Sequence, residues 1–199
     1  DGVLTLDDPV RRWLPSLPVA AEGITLRHLL SHTSGLVDYE DHIPPGFEGQ
    51  LHDIDVLHLL EGQDRTYFAP GSDYRYSNSG YALLALVVER ASGQRFAAFL
   101  QARIFSPLGM TATLAREDEG PPVTDRAFGY TRVGDRWERT DQSTTSAVLG
   151  DGGIYSSITD LAKWDAAWYD DRLLSAPSRA RAVQASTATP EPDVAHYGF

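Results

Sequence analysis

The chain contains no cysteine, so neither a disulfide framework nor a thiolate metal site can form within it. It also lacks clusters of basic residues, and its formal net charge is −11, which argues against nucleic acid or an anionic membrane as a partner. No apolar run approaches the roughly 20 residues needed to span a bilayer. The first residues carry no signal-peptide pattern.

The composition that remains is that of an ordinary globular protein. The chain has 199 residues, of which 42% are hydrophobic and 10% aromatic, enough for one domain with a real core. Neither an internal repeat nor a composition shift marks a boundary within it. We therefore expect a single domain over residues 1–199.

Helix signals dominate the chain from Thr25 to Trp168. The strongest lies at residues 80–92, where apolar residues recur at three-and-four spacing and Gly93 supplies a stop signal. Two shorter helices are predicted to begin at the N-cap residues Thr25 and Asp53. The predicted buried face of the long helix consists of Leu84, Val87, Val88 and Ala91.

Strands are predicted to be few and short. Residues 128–133 and 136–140 alternate in part and flank Gly134-Asp135, which indicates a hairpin. The glycines of stretch 150–153 precede a predicted strand, and we expect close backbone packing there because the Lys-Ser/Thr ending of a phosphate-binding loop is absent. The polar, proline-containing stretches 117–122 and 186–193 are predicted to be a loop and a linker.

The stretch Tyr76-Ser77-Asn78 lies between a loop that begins at Pro70 and the long helix. A phenol and a carboxamide two residues apart in an irregular segment can both point at one small molecule, the phenol as proton acceptor or donor and the amide as a hydrogen-bonding clamp. The alternative is structural. In it, Asn78 or Ser79 caps the helix while Tyr76 packs under the loop.

His28 and His32 are four positions apart on the helix predicted after Thr25. Such a pair can bind zinc when a third ligand arrives. The Glu of a His-Glu-x-x-His motif is missing, however, which favours hydrogen-bonded histidines near the end of a helix over a metal site. Candidates for the third ligand are Asp38, Asp41 and His42.

Several stretches together resemble one family, in the same order along the chain. The family is that of the serine β-lactamase and penicillin-binding-protein-like hydrolases, and the nearest group is the class C-like one, with D-alanyl-D-alanine carboxypeptidases and esterases. The resemblance implies an α+β, β-lactamase/transpeptidase-like fold, represented here mostly by its helical part with a few short strands. The stretches are Leu4-Thr-Leu-Asp-Asp-Pro-Val10, Ile24-Thr-Leu-Arg-His-Leu-Leu-Ser-His-Thr-Ser-Gly-Leu36, Tyr76-Ser77-Asn78, Pro107-Leu-Gly-Met110 and Gly152-Gly-Ile-Tyr-Ser-Ser157 with Asp160-Leu-Ala-Lys-Trp164.

Three motifs build the site in that family: a serine with a lysine three residues later, a Tyr-x-Asn triplet and a His- or Lys-x-Gly strand. Only the triplet is plainly present. The single lysine, Lys163, follows Asp160 at that spacing, and no Gly-x-Ser-x-Gly nucleophile elbow exists either. His196-Tyr197-Gly198 fits the third motif formally, but the sequence from Tyr197 looks more like the strand that precedes it. We therefore expect a fragment truncated at both ends of the catalytic domain.

The resemblance assigns roles to the triplet. Tyr76 matches the family's general base, which acts with the lysine, and Asn78 matches the residue that holds the acyl-side carbonyl of the substrate. It implies a serine hydrolase that acts on a β-lactam, a D-Ala-D-Ala peptide or an ester through an acyl-enzyme, with a small-molecule substrate, no cofactor and a periplasmic or secreted location. This fragment alone is expected to be inactive. The alternative is a non-catalytic binding or scaffold module of the same fold.

Overall fold

The computed structural model describes residues 2–117, 122–190, 193 and 195–199. Its helices are α1 (Val10–Trp13), α2 (Leu26–Leu30), α3 (Asp53–Glu61), α4 (Asn78–Ser92), α5 (Phe96–Leu100), α6 (Ser106–Leu108), α7 (Ile158–Ala166) and α8 (Ala176–Ala182). Short 3-10 turns lie at Val19–Ala21, Tyr39–His42 and Ala167–Tyr169, and a π-helical turn at Gln101–Phe105 joins α5 to α6.

Among the described residues, the strands form three separate antiparallel pairs. They are β1 (Leu114–Ala115) with β4 (Ile154–Tyr155), β2 (Tyr130–Val133) with β3 (Arg136–Arg139), and β5 (Thr187–Ala188) with β6 (His196–Tyr197). Helices thus outweigh strands, as expected for the helical part of an α+β fold. In the part of the chain that the structure describes, no helix is both long and apolar enough to cross a membrane.

Helix α4 is the centre of the main core. It ends where Gly93 adopts a left-handed conformation with φ of 69°, as its stop signal predicts. Helices α1, α2 and α3 pack around it. The predicted buried face is wrong in part, since only Val87 of its four residues is fully buried, and the helix turns a different set toward the core. That set is Ala82, Leu83, Leu86 and Val87.

The remaining apolar side of α4 faces an open groove. Leu84 and Val88 line it from α4, and together with residues from the first part of the chain they enclose a volume of about 610 Å³. Helix α4 is therefore apolar on two sides, which explains why its periodicity indicated a helix but did not identify the core face. The apolar lining residues from the first part of the chain are Leu4, Leu6, Leu26 and Leu30.

Of the two predicted helix caps, one is confirmed and one is wrong. The Thr25 hydroxyl accepts a hydrogen bond from the His28 N–H at the start of α2, and His28 Nδ1 accepts one from the Thr25 N–H in return. Asp53 instead lies inside α3, whose N-cap is His52. The buried carboxylate of Asp53 accepts hydrogen bonds from a distant segment of the chain, at Leu149 and Gly150.

The predicted hairpin is confirmed. Strands β2 and β3 pair from Tyr130 opposite Arg139 to Val133 opposite Arg136, with Gly134-Asp135 as the turn. The predicted loop 117–122 includes residues 118–121, and the predicted linker 186–193 includes residues 191 and 192, all of which lie outside the described residues. Within that linker, residues 187 and 188 form strand β5.

Candidate active site

Tyr76 and Asn78 lie on the surface at the start of α4. Tyr76 is 57% exposed, and Asn78, the first residue of the helix, is half-buried. The residue between them, Ser77, is buried. The side chains of Tyr76, Ser77 and Asn78 thus point alternately outward, inward and outward. The phenol and the carboxamide both reach solvent, while the residue between them is anchored inside the protein.

The geometry at this helix start does not support the capping alternative. The N-cap is Ser77, and its side chain makes no capping hydrogen bond. Ser79 is fully buried and bridges to another loop, because its hydroxyl donates to the Val37 carbonyl at 2.9 Å and accepts from the Tyr39 N–H at 2.9 Å. Neither Asn78 nor Ser79 therefore serves as the cap.

His32 holds the loop from inside the protein. Its side chain is only 2% exposed, and its backbone has φ of 57°, a conformation that non-glycine residues seldom adopt. Nδ1 accepts a hydrogen bond from the Ser77 N–H at 3.1 Å, and the His32 carbonyl accepts one from the Arg75 N–H at 3.0 Å. One residue thus fixes the backbone on both sides of Tyr76.

The other ring nitrogen of His32 is also engaged. Because Nδ1 accepts from a backbone N–H, Nε2 carries the proton and donates to the Tyr197 hydroxyl at 3.1 Å. The imidazole lies among tyrosine rings, with Tyr76 at 4.5 Å, Tyr197 at 4.7 Å and Tyr81 at 5.1 Å between centroids. Burial lowers the pKa of His32 to about 4, so the ring is neutral at physiological pH.

These contacts bear on the zinc alternative. Helix α2 ends at Leu30, so His32 lies beyond it and does not share a helix face with His28. Both ring nitrogens of His32 are committed, and Nδ1 of His28 belongs to the cap at Thr25. Among the described residues, no group of three or more His, Asp or Glu side chains has the arrangement of a metal site.

A turn that carries carboxylates lies on the other side of Asn78. The Asn78 Nδ2 group donates to Oε1 of Glu40 at 3.1 Å. Next to Glu40, the buried Tyr39 donates its hydroxyl hydrogen to Oδ2 of Asp151 at 2.9 Å. Burial raises the pKa of Asp151 to about 7. The Tyr76-Ser77-Asn78 triplet therefore lies beside carboxylate groups.

The groups around Tyr76 act against its ionisation. Its pKa is raised, first by partial burial and then by the neighbouring Tyr197, Asp151 and Glu40. A general base needs the opposite shift, toward neutral pH. The described residues alone therefore do not activate this phenol.

The glycine-rich stretch packs against α4, as predicted. A Cβ on Gly150 would overlap the Tyr81 carbonyl oxygen and lie 2.7 Å from the Cα of Ala82. The buried Asp53 fixes the same stretch, because its carboxylate accepts from the N–H groups of Leu149 and Gly150 at 3.1 and 2.8 Å. This close approach places Asp151 beside Tyr39.

The last residues of the chain contact the candidate site through Tyr197. On β6, His196 is exposed, whereas Tyr197 reaches His32 and is half-buried. The histidine of the formal His-x-Gly match is thus on the outside, in line with the interpretation that this segment is not the third motif.

Sequence reasoning predicted Tyr76 and Asn78 as site residues but missed most of their surroundings. It considered His32 as a zinc ligand or, preferably, as a hydrogen-bonded histidine near a helix end, without relating it to Tyr76, and it did not single out Glu40 or Asp151. The one local signal for Asp151 is its position among glycines, and no local signal distinguishes Glu40 from the acidic residues beside it.

Comparison with known proteins places the chain in a family. A family model described as Beta-lactamase matches residues 1–199. A penicillin-binding protein of Bacillus subtilis (strain 168) is 34% identical over 195 residues, covering 91% of this chain and 43% of that protein. A D-aminopeptidase of Gluconobacter oxydans (strain 621H) is 30% identical over 211 residues, covering 100% of this chain and 38% of that protein.

A solved structure agrees with these sequence matches. The D-amino acid amidase from Ochrobactrum anthropi SV3, complexed with L-phenylalanine amide, superposes with a TM-score of 0.85 at 28% identity, covering 100% of this chain and 58% of that one. The chain spans less than half the length of the two curated relatives. With a family model that matches its whole length, the chain belongs to the beta-lactamase family and has a β-lactamase/transpeptidase-like fold.

Proposed function

We propose that this chain is part of a serine hydrolase that cleaves a β-lactam, a D-Ala-D-Ala peptide or an ester through an acyl-enzyme. In this proposal, the nucleophilic serine, its lysine and the third motif come from parts of the parent protein outside the 199 residues. Tyr76 is the general base and Asn78 the group that holds the acyl-side carbonyl of the substrate. The names of the relatives support this reaction class, since they include an aminopeptidase and an amidase.

The observation that carries the proposal is the exposed Tyr76-Asn78 pair on a backbone fixed by His32. A base and a clamp are effective only when both are held in the orientation that the reaction needs. Here the exposed phenol ring lies 4.5 Å from the buried His32 ring, and the Ser77 N–H between the two groups is hydrogen-bonded to that same imidazole. Both side chains can therefore reach a substrate, and hydrogen bonds to His32 hold the backbone that carries them.

Because the pKa of Tyr76 is raised, the phenol needs a stabilising cation to act as a base near neutral pH. A free tyrosine has a pKa of about 10, and bringing it to about 7 requires roughly 4 kcal/mol of preferential stabilisation of the phenolate. A lysine ammonium within hydrogen-bonding reach supplies such stabilisation. Lys163 is not that lysine, because its ammonium is bonded to Asp160 and to the Gly109 carbonyl.

Burst kinetics of the parent protein, with a chromogenic cephalosporin and a p-nitrophenyl ester, test the proposal. The parent should acylate, and Tyr76→Phe should lower the acylation rate by about 10²-fold or more, the scale of a lost general base. Asn78→Ala should act more on substrate positioning. The 199-residue chain alone should hydrolyse neither compound.

Circular dichroism provides the control for folding of both variants. A folded Tyr76→Phe variant that acylates at the parental rate would remove Tyr76 from the mechanism. A parent that acylates with no substrate of these classes would instead support the non-catalytic binding module.

A further inference from the structure

Glu40 is held in a fixed position beside Asn78. It lies in the 3-10 turn Tyr39–His42, where its N–H donates to Oδ1 of Asp38 at 3.1 Å. The preceding Tyr39 is fully buried and anchored at both ends, through its N–H on Ser79 and its hydroxyl on Asp151. The exposed carboxylate of Glu40 is therefore carried by a backbone with little freedom.

Only part of that carboxylate is used within the protein. Oε1 accepts from Asn78 Nδ2 at 3.1 Å, which leaves further lone pairs on both oxygens directed away from this bond. Over the described residues, Glu40 takes part in no ion pair, whereas the carboxylates of Asp7 and Glu22 are paired with Arg27 and Arg11. The carboxylate beside the clamp thus lacks a cationic partner in the part of the chain that the structure describes.

The position of Glu40 relates it to one end of the substrate. In the proposed function, Asn78 holds the acyl side of the substrate, and a group bonded to the Asn78 amide lies on that side too. A carboxylate there suits a cation near the reacting carbonyl, because a charge-assisted N–H···O bond is about twice as strong as a neutral one. Amino-acid amides, amino-acid esters and free amino termini of peptides carry an ammonium group one carbon from that carbonyl.

We propose that Glu40 is a specificity-determining residue whose carboxylate, held against the Asn78 amide, binds an ammonium group on the acyl part of the substrate. This inference rests on the proposed hydrolase function. It selects, within that function, substrates with a free α-amino group over their acylated counterparts.

A second role for Glu40 must be separated from this one. By accepting from Asn78 Nδ2, Glu40 also orients the clamp, and a residue that only orients it would affect every substrate alike. Glu40→Gln distinguishes the roles, because its amide oxygen still accepts from Asn78 while the negative charge is gone. Glu40→Ala removes both the charge and the hydrogen bond.

The experiment measures kcat/KM of the parent protein for D-alanine p-nitroanilide and for its N-acetyl derivative, at neutral pH. We expect the parent to prefer the free amine. In Glu40→Gln the ratio of the two values should fall by about 10- to 100-fold, mainly through KM of the amine, as expected for a lost charged hydrogen bond. Asp41→Asn is the matched control. It removes the same charge one residue away, where Asp41 accepts a hydrogen bond from the Tyr67 hydroxyl, and should leave the ratio unchanged.

Two results would overturn the inference. In one, Glu40→Gln lowers kcat/KM for both substrates by the same factor, which assigns Glu40 to orientation of Asn78 alone. In the other, the parent hydrolyses p-nitrophenyl acetate in a Tyr76-dependent manner but does not distinguish the amine from its acetyl derivative, so that the proposed function stands without this specificity. A parent inactive on all three compounds would refute the proposed function and this inference with it.

Discussion

The Ser77 N–H donates a hydrogen bond to Nδ1 of His32 over 3.1 Å and so joins two residues that are 45 positions apart in the chain. Ser77 stands between Tyr76 and Asn78, so this bond positions both candidate site residues at once. The chain leaves α2 in a left-handed conformation at His32, and in this conformation the imidazole lies inside the protein, where it accepts this bond.

Replacing His32 should weaken the whole fold as well as the loop. His32→Ala leaves the buried Ser77 N–H without its acceptor and opens space among the tyrosine rings, so we expect a loss of about 2–4 kcal/mol in the free energy of unfolding. His32→Asn should lose less, because asparagine tolerates positive φ and offers an acceptor at the position of Nδ1. Urea denaturation measures both, and equal losses for the two variants would contradict this role of the ring nitrogen.

The stabilising effect of His32 should depend on pH. Its pKa of about 4 in the folded protein lies below the ordinary value of 6.5, so the unfolded chain binds more protons at this residue between those limits. The stabilisation is complete above pH 6.5 and is lost as the pH falls to about 4. The stability advantage of the wild type over His32→Asn should therefore shrink by roughly 3 kcal/mol across this interval.

Urea midpoints at several pH values measure that difference. The comparison must be made against His32→Asn, because two carboxyl groups act with the opposite sign. Burial raises the pKa of Asp53 to about 6 and that of Asp151 to about 7, so they destabilise the fold as the pH rises through those values. Both carboxyl groups are also present in His32→Asn, so their effects cancel when the two proteins are compared. A wild-type advantage that stays constant with pH would refute the neutral, buried imidazole.

Gly150 and Gly152 provide a matched pair for the packing of the glycine-rich stretch. Gly150→Ala would drive a Cβ into the backbone of α4, which cannot yield as a flexible side chain would, and should cost about 1–3 kcal/mol. Gly152→Ala meets no atom within 4 Å and should be neutral or slightly stabilising. Thermal unfolding of both variants tests this, and equal stability would show that Gly150 does not approach α4 this closely.

Lys163 and Asp160 form a structural ion pair. Asp160 is 1% exposed, and its carboxylate accepts from Lys163 Nζ at 2.7 Å, from the Ala112 N–H at 2.7 Å and from the Thr113 hydroxyl at 2.9 Å. Asp160→Ala leaves the Ala112 N–H without its acceptor and takes one of two partners from the Lys163 ammonium and from the Thr113 hydroxyl, so it should lower the free energy of unfolding by about 1–3 kcal/mol. Lys163→Met should cost less, because Asp160 keeps two partners.

Urea denaturation again provides the measurement for this pair. In an active parent protein, Lys163→Met should retain hydrolysis, since the ammonium of this lysine binds Asp160 and the Gly109 carbonyl rather than a described residue of the candidate site. Loss of acylation in a folded Lys163→Met variant would mean that Lys163 has a catalytic role after all.

The sequence by itself determined the features that depend on neighbouring residues. Helix α4, the cap at Thr25 and the hairpin around Gly134-Asp135 follow from periodicity, capping and turn chemistry, which are encoded within a few positions. The family could also be recognised from short motifs, and the triplet from Tyr76 to Asn78 is one of them. Each such signal is complete within its own segment.

Only the tertiary structure decided what surrounds the triplet. His32 and Tyr197 are 165 positions apart, and Tyr39 and Asp151 are 112 positions apart, yet each pair is hydrogen-bonded. Which face of α4 is buried also depended on its neighbours, because the helix is apolar on two sides. Burial and contacts between distant segments set the pKa of His32 and of Asp151, and neither quantity exists until the chain has folded.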